Sequence, residues 1–194
     1  MTEQLYTKDR IHLHLEEVLS KTETYKVYKS HIKLIDGQEF SKLKEMSERN
    51  RNTFEEGLGL SFPYPQDKRC YVAINLDQCL NFDLSFNEVI AVALHEYGHL
   101  LNDYVIPVGT THVPFEVFKN PNLTLVNESV TDYKEYYADS FVTEDYKPAL
   151  ISALDKYFHN NSNDALLVKR KENIRNGNTV YSGSVSVSLK EFVI

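Results

Sequence analysis

Long apolar runs, clustered basic residues and closely spaced cysteines are all missing from this 194-residue chain, and each gap removes a class of function. The longest apolar run, "VIAVAL" at 89–94, falls far short of the roughly 20 residues that a membrane-spanning helix requires. The opening "MTEQLYTKDR" is polar and of mixed charge with no apolar stretch behind it, so it does not read as a secretory leader. A cytoplasmic location with no membrane partner is therefore expected. Lysines and arginines are dispersed through a chain of formal net charge −7, which leaves no basic face for phosphates, and nucleic acid is not an expected partner. Cys70 and Cys79 match neither a zinc knuckle nor a redox CxxC spacing and read as small buried hydrophobes. The seven glycines and six prolines are scattered, and no repeat or low-complexity tract interrupts the chain. With 42% hydrophobic content this predicts one domain over residues 1–194.

What is present organises itself around one segment. "RIHLHLEEVLS" at 10–20 and "EFSKLKEMSERNRNTFEEGL" at 39–58 have helical spacing, while "YKVYK" and "HIKLI" between them alternate as strands do. "FPYPQD" reads as a turn, and "CYVAINL" at 70–76 as a strand. Ser85 and Glu88 then form a capping box, so a helix is predicted to start at Phe86 and to end near Asn102 and Asp103. "THVPFEVF" at 111–118 suits an irregular edge strand. Further helices are expected over "NESVTDYKEYYADSFVTEDY", from Pro148 to about Phe158, and from Asn163 to Gly177, followed by an alternating tail, "SVSVSLKEFVI".

In the Phe86 helix, "HEYGH" places His95 and His99 four residues apart, one above the other on a single face, where two imidazoles reach one metal ion. Glu96 lies beside that face, in position to hold and deprotonate a water. A catalytic zinc site takes three protein ligands and leaves one position open. Glu135 of "KEYYADSF" is the expected third ligand, with Glu128 as its competitor. Asp139, one turn further on, is expected to accept from the free ring nitrogen of a ligand histidine, and Ala138 keeps the surface low for close packing. Gly98 in the helix interior costs about 1 kcal/mol relative to alanine and signals the close approach of another segment. His112 is a candidate for stabilising an oxyanion. One zinc ion is the expected cofactor.

These residues are similar to a known pattern. "LSFNEVIAVALHEYGHLLND" followed by "EYYADSF" resembles the gluzincin metallopeptidases, in which HExxH is completed by a downstream glutamate in an E-x-x-A-D or E-x-x-A-N setting. "EYYAD" resembles the HtpX-type peptidases and their small soluble relatives, the minigluzincins. "ADSFVTEDYKP" is similar to the ImmA/IrrE proteins, where Ala-Asn is usual and Asp139 departs from it. The likeness covers roughly residues 70–150, leaving 1–69 as a variable N-terminal part and 151–194 as a helical end and tail. It implies an α+β, zincin-like fold: a small sheet packed on the motif helix, with a helical C-terminal portion carrying Glu135 across the cleft. It also implies zinc-dependent hydrolysis of a protein or peptide substrate bound along an edge strand, "CYVAINL" or "THVPFEVF". Covering of that edge by the tail is a further expectation. The competing expectation is a zinc-binding regulatory or interaction module with little hydrolysis, and the oligomeric state is left open.

Overall fold

The computed structural model describes residues 6–22, 25–26, 29–44, 46–67, 69–103, 135–136, 138–159 and 165–177. Helix α1 (Lys8–Leu19) starts where Thr7 accepts a hydrogen bond from the Arg10 amide, and it buries Ile11, Leu15 and Leu19 along one stripe. Strand β1 (Ile32–Asp36) follows, then the short α2 (Gly37–Ser41) and α3 (Glu48–Glu56), capped by Asp36 and Ser47. β2 (Gly59–Tyr64) and β3 (Arg69–Ile74) complete a three-stranded sheet of order β1-β3-β2. β3 pairs in parallel with β1 and antiparallel with β2.

Alternation along β3 divides the interior into two layers. Val72 and Ile74 face a large aliphatic core, while Tyr71 and Ala73 face a smaller aromatic one with Phe40, Phe54, Phe62 and Tyr64. The aliphatic layer is built on α5 (Phe86–Asp103), which follows the short α4 (Leu76–Asn81). Val89, Ile90, Ala91, Ala93 and Leu94 are all fully buried in it. A helix apolar on nearly every side must be covered on every side. The sheet, α1, α6 (Lys147–Tyr157) and residues 144–146 all pack on it, and α7 (Ala165–Asn176) packs on α6. The architecture is mixed α+β, a small sheet with helices predominating. Among the described residues no helix is long and apolar enough to cross a membrane.

The capping box forms as expected: the Glu88 carboxylate accepts from the Ser85 amide at 2.5 Å, and the Ser85 hydroxyl accepts from the Glu88 amide at 3.4 Å. Pro148 lies in the first turn of α6, and Gly177, at φ +64°, follows α7.

Several expectations fail. The helix expected through "SFVTEDY" ends at Phe141, ahead of a 3-10 turn at Glu144–Tyr146, and Cys70 is only half-buried while Cys79 is buried. "YKVYK" is not a strand where it is described: Tyr25 and Lys26 are helical and Lys29 begins a 3-10 turn, with Tyr25 stacked edge-on against Tyr97 of α5. The helical spacing over 39–58 is broken between Ser41 and Glu48. Most important for function, Phe62, Pro63 and Tyr64 are not a turn but the end of β2, because a strand bonded to only one neighbour tolerates proline. "CYVAINL" is correspondingly the central strand, paired on both sides, and it offers no edge. "THVPFEVF", His112, Glu128, Asn163 and the tail lie outside the described residues.

Candidate metal centre

The helical spacing of His95 and His99 brings their Nε2 atoms to 3.1 Å from one another, with the ring centroids 4.6 Å apart. Residues 135, 136 and 138–141 are helical and lie across this face of α5. The approach is as close as backbones allow. A Cβ on Gly98 would meet the Ala138 carbonyl oxygen at 2.7 Å and Phe141 Cβ at 2.8 Å, so glycine is required there. That contact delivers Glu135, whose carboxylate straddles the histidines: Oε2 lies 3.4 Å from His95 Nε2 and Oε1 3.4 Å from His99 Nε2.

Asp139, fully buried at 2% exposure, places Oδ1 2.9 Å from His95 Nδ1, an ion-pair contact with the ring and not the hydrogen bond expected. Sequence reasoning missed the residue that holds both acids. Arg170 of α7, 7% exposed, donates from Nε and Nη2 to the two oxygens of Asp139, each at 2.8 Å, and places Nη1 2.8 Å from Glu135 Oε2. A signal was available, since Leu167, Arg170 and Ile174 are the buried stripe of α7 and an arginine in such a stripe needs an acid opposite it.

Burial works against charge on all four groups, and their contacts outweigh it. His95 is pushed up to about 10, burial being overcome by Asp139 and Glu135. Glu135 is held well below the usual carboxylate range by His95, His99 and Arg170 in spite of burial. Asp139 is lowered by His95 and Arg170, again against burial, and Arg170 is raised by the same acids.

Glu96 borders the same cavity as His95, Glu135 and Arg170. Its neighbour is the start of β2: a Cβ on Gly59 would come within 3.0 Å of Glu96 Cγ and 3.2 Å of its Oε1. Glycine thus lets the edge strand lie against the acid.

One nitrogen from each histidine and one oxygen of Glu135 form a group able to hold a metal ion. The donor set fits zinc on two counts. Ligands at about 2.0–2.1 Å from a tetrahedral zinc lie about 3.3–3.4 Å from one another; here the two Nε2 atoms are 3.1 Å apart, each has its own Glu135 oxygen at 3.4 Å, Oε2 for His95 and Oε1 for His99, and one atom from each of the three residues lies within 4.8 Å of the others. Glu96, Glu135 and Asp139 set against Arg170 leave a formal −2, which one divalent cation balances. Comparison with protein-family models, curated proteins and solved structures gave no match. The functional argument therefore rests on these residues.

Proposed function

We propose that the chain is a zinc-dependent metallopeptidase of zincin-like fold and gluzincin type, acting in the cytoplasm on a protein or peptide substrate. The likeness to ImmA/IrrE proteins implies a regulatory target. The observation that carries this reading is the convergence of His95, His99 and Glu135 beside a separate acid, Glu96, at the end of an edge strand.

His95, His99 and Glu135 would hold the ion. When bound, zinc supplies Lewis acidity that polarises a carbonyl and brings the pKa of a water toward neutrality. Glu96 takes the proton of the attacking water and returns it to the leaving amine as the C–N bond breaks. Asp139 sets a negative charge against the far nitrogen of His95, and Arg170 keeps both carboxylates in place without competing for the proton. β2 is bonded only to β3 among the described residues, so its outer side suits an extended peptide held through main-chain hydrogen bonds.

The test compares wild type with Glu96→Gln. The variant should retain one equivalent of zinc by elemental analysis and lose about 10²- to 10⁴-fold in cleavage of an unfolded protein. A wild type that binds zinc yet shows no chelator-sensitive cleavage would sink the peptidase reading. A Glu96→Gln protein that kept its cellular effect would favour a zinc-binding interaction module.

A further inference from the structure

The cavity beside the ligand cluster, about 320 Å³ in volume, has two unlike ends. Its inner end is His95, Glu96, Glu135 and Arg170; its mouth is Thr53 and Glu56, both exposed, with Tyr157 and Phe158, both half-buried. Leu150, Ala153 and Leu154 complete the wall but are covered core, so an incoming group meets the mouth first.

Glu56 is fixed there by its own backbone. It ends α3, its carbonyl accepts from the Tyr157 hydroxyl at 3.1 Å, and the Gly57 amide donates to the Thr53 carbonyl at 3.0 Å. Tyr157 is held in turn by edge-on packing with Phe82 and Phe158. Burial pushes the Tyr157 hydroxyl up and the Glu56 charge adds to it, so the carboxylate lies near that ring. Three residues on, Gly59 lies against Glu96, which ties the mouth to the general base.

What Glu56 lacks is a cation. The charges around the histidines balance one divalent ion, with Arg170 spent on Asp139 and Glu135. Lys156 is spent on Glu88 and the Asp83 carbonyl, and Lys171 on Asp155. Among the described residues no basic side chain pairs with Glu56. The mouth thus sets an unanswered negative charge beside two aromatic rings. Such a surface suits a long basic side chain, whose methylenes lie on carbon while the charged head stays in water, with a further gain where the cation meets a ring face.

We infer that Glu56 is a specificity-determining residue: resting on the peptidase reading, the mouth takes a Lys or Arg side chain from a residue adjoining the scissile bond, its stem against Tyr157 and Phe158 and its charge beside Glu56. Adjacency follows because Glu96 and two of the ligands border the same cavity. An acidic side chain would meet Glu56 with like charge, and an aliphatic one would leave that charge unanswered.

The test uses zinc-loaded Glu96→Gln and three hexapeptides identical except for Lys, norleucine or Glu at both residues flanking the central bond. By calorimetry at low salt the Lys peptide should bind at least about threefold tighter than the norleucine peptide, with the Glu peptide weakest. Salt at about 1 M should erase most of the difference. Adding Glu56→Gln should bring Lys and norleucine within about 1.5-fold, and Glu56→Lys should reverse the order of Lys and Glu. Glu55→Gln makes the same charge change on an exposed neighbour outside the wall and should leave the ratio unchanged. Equal affinity for Lys and norleucine, no measurable binding of any of the three, or a Lys preference that Glu55→Gln lowers as far as Glu56→Gln does would overturn the assignment. A Glu56-dependent Lys preference with no cleavage by wild type would uphold the basic-binding mouth and remove the peptidase. Cleavage of an unfolded protein at bonds not enriched in Lys or Arg would remove the mouth's role and leave the peptidase standing.

Discussion

At the start of α5, Glu88 is 4% exposed, yet its carboxylate accepts from the Ser85 amide and from the Lys156 ammonium at 2.8 Å. Two turns later the same helix presents His95, Glu96 and His99 to Glu135 and Asp139, where one guanidinium and, in the metal-free fold, the proton on His95 answer three carboxylates. The first half spends its ionisable group on closing a helix end and on pinning α6. The second half gathers more negative charge than the protein itself neutralises. A buried acid with local partners is architecture, whereas a buried acidic surplus around two imidazoles is a group that could hold a cation.

The largest expected effect falls on the surplus. Arg170→Met leaves Asp139 and Glu135 buried without their guanidinium and should cost about 3–5 kcal/mol in the metal-free protein. Urea unfolding with chelator measures it, and zinc should restore part of the loss. A stability equal to wild type would show that the two halves do not differ as described. Next, Asp139→Asn removes the charge behind His95 and should weaken zinc binding about 10- to 100-fold, read by competition with a chromophoric chelator.

The architectural half should respond differently. Glu88→Gln is expected to cost about 1–2 kcal/mol and to leave zinc content untouched. The Glu88 carboxyl is lowered in the fold from 4.5 because the Lys156, Ser152 and Ser85 contacts outweigh burial. Its contribution is present above the unfolded value and is lost as pH falls through the lower, folded one, so the variant should show a flatter acid limb in stability against pH. His95 has the opposite sign. Raised to about 10, its proton stabilises the metal-free fold fully below 6.5 and ceases to do so as pH rises through about 10. The smallest effect to measure follows: zinc uptake at pH 7 should release about one proton per site, detected by calorimetry in buffers of different ionisation enthalpy.

Local signals were legible and relational ones were not. Ser85, Glu88, Pro148 and Gly98 act within a turn or two of themselves or report their own missing side chain, and the structure places each as its chemistry requires. The helical spacing of "HEYGH" and "EYYAD" carried most of the candidate site for the same reason, bringing together His95, His99 and Glu135 as a group that could hold a metal ion. β2 was concealed by Pro63 and Pro65, which forbid only a central strand, and its edge position is a property of the whole sheet. Arg170 lies 31 residues from Asp139, and nothing beside it in the chain announces the acids it serves. "YKVYK" was misread because its aromatic Tyr25 packs against α5 and does not join the sheet.

The glycine at 98 has one more consequence. Since main chain rests on main chain at this crossing, the bite between the imidazoles and the opposing acid is set by peptide groups, which do not hop between rotamers. Little reorganisation should then accompany metal capture, and zinc should enter and leave a jaw already held at its working width.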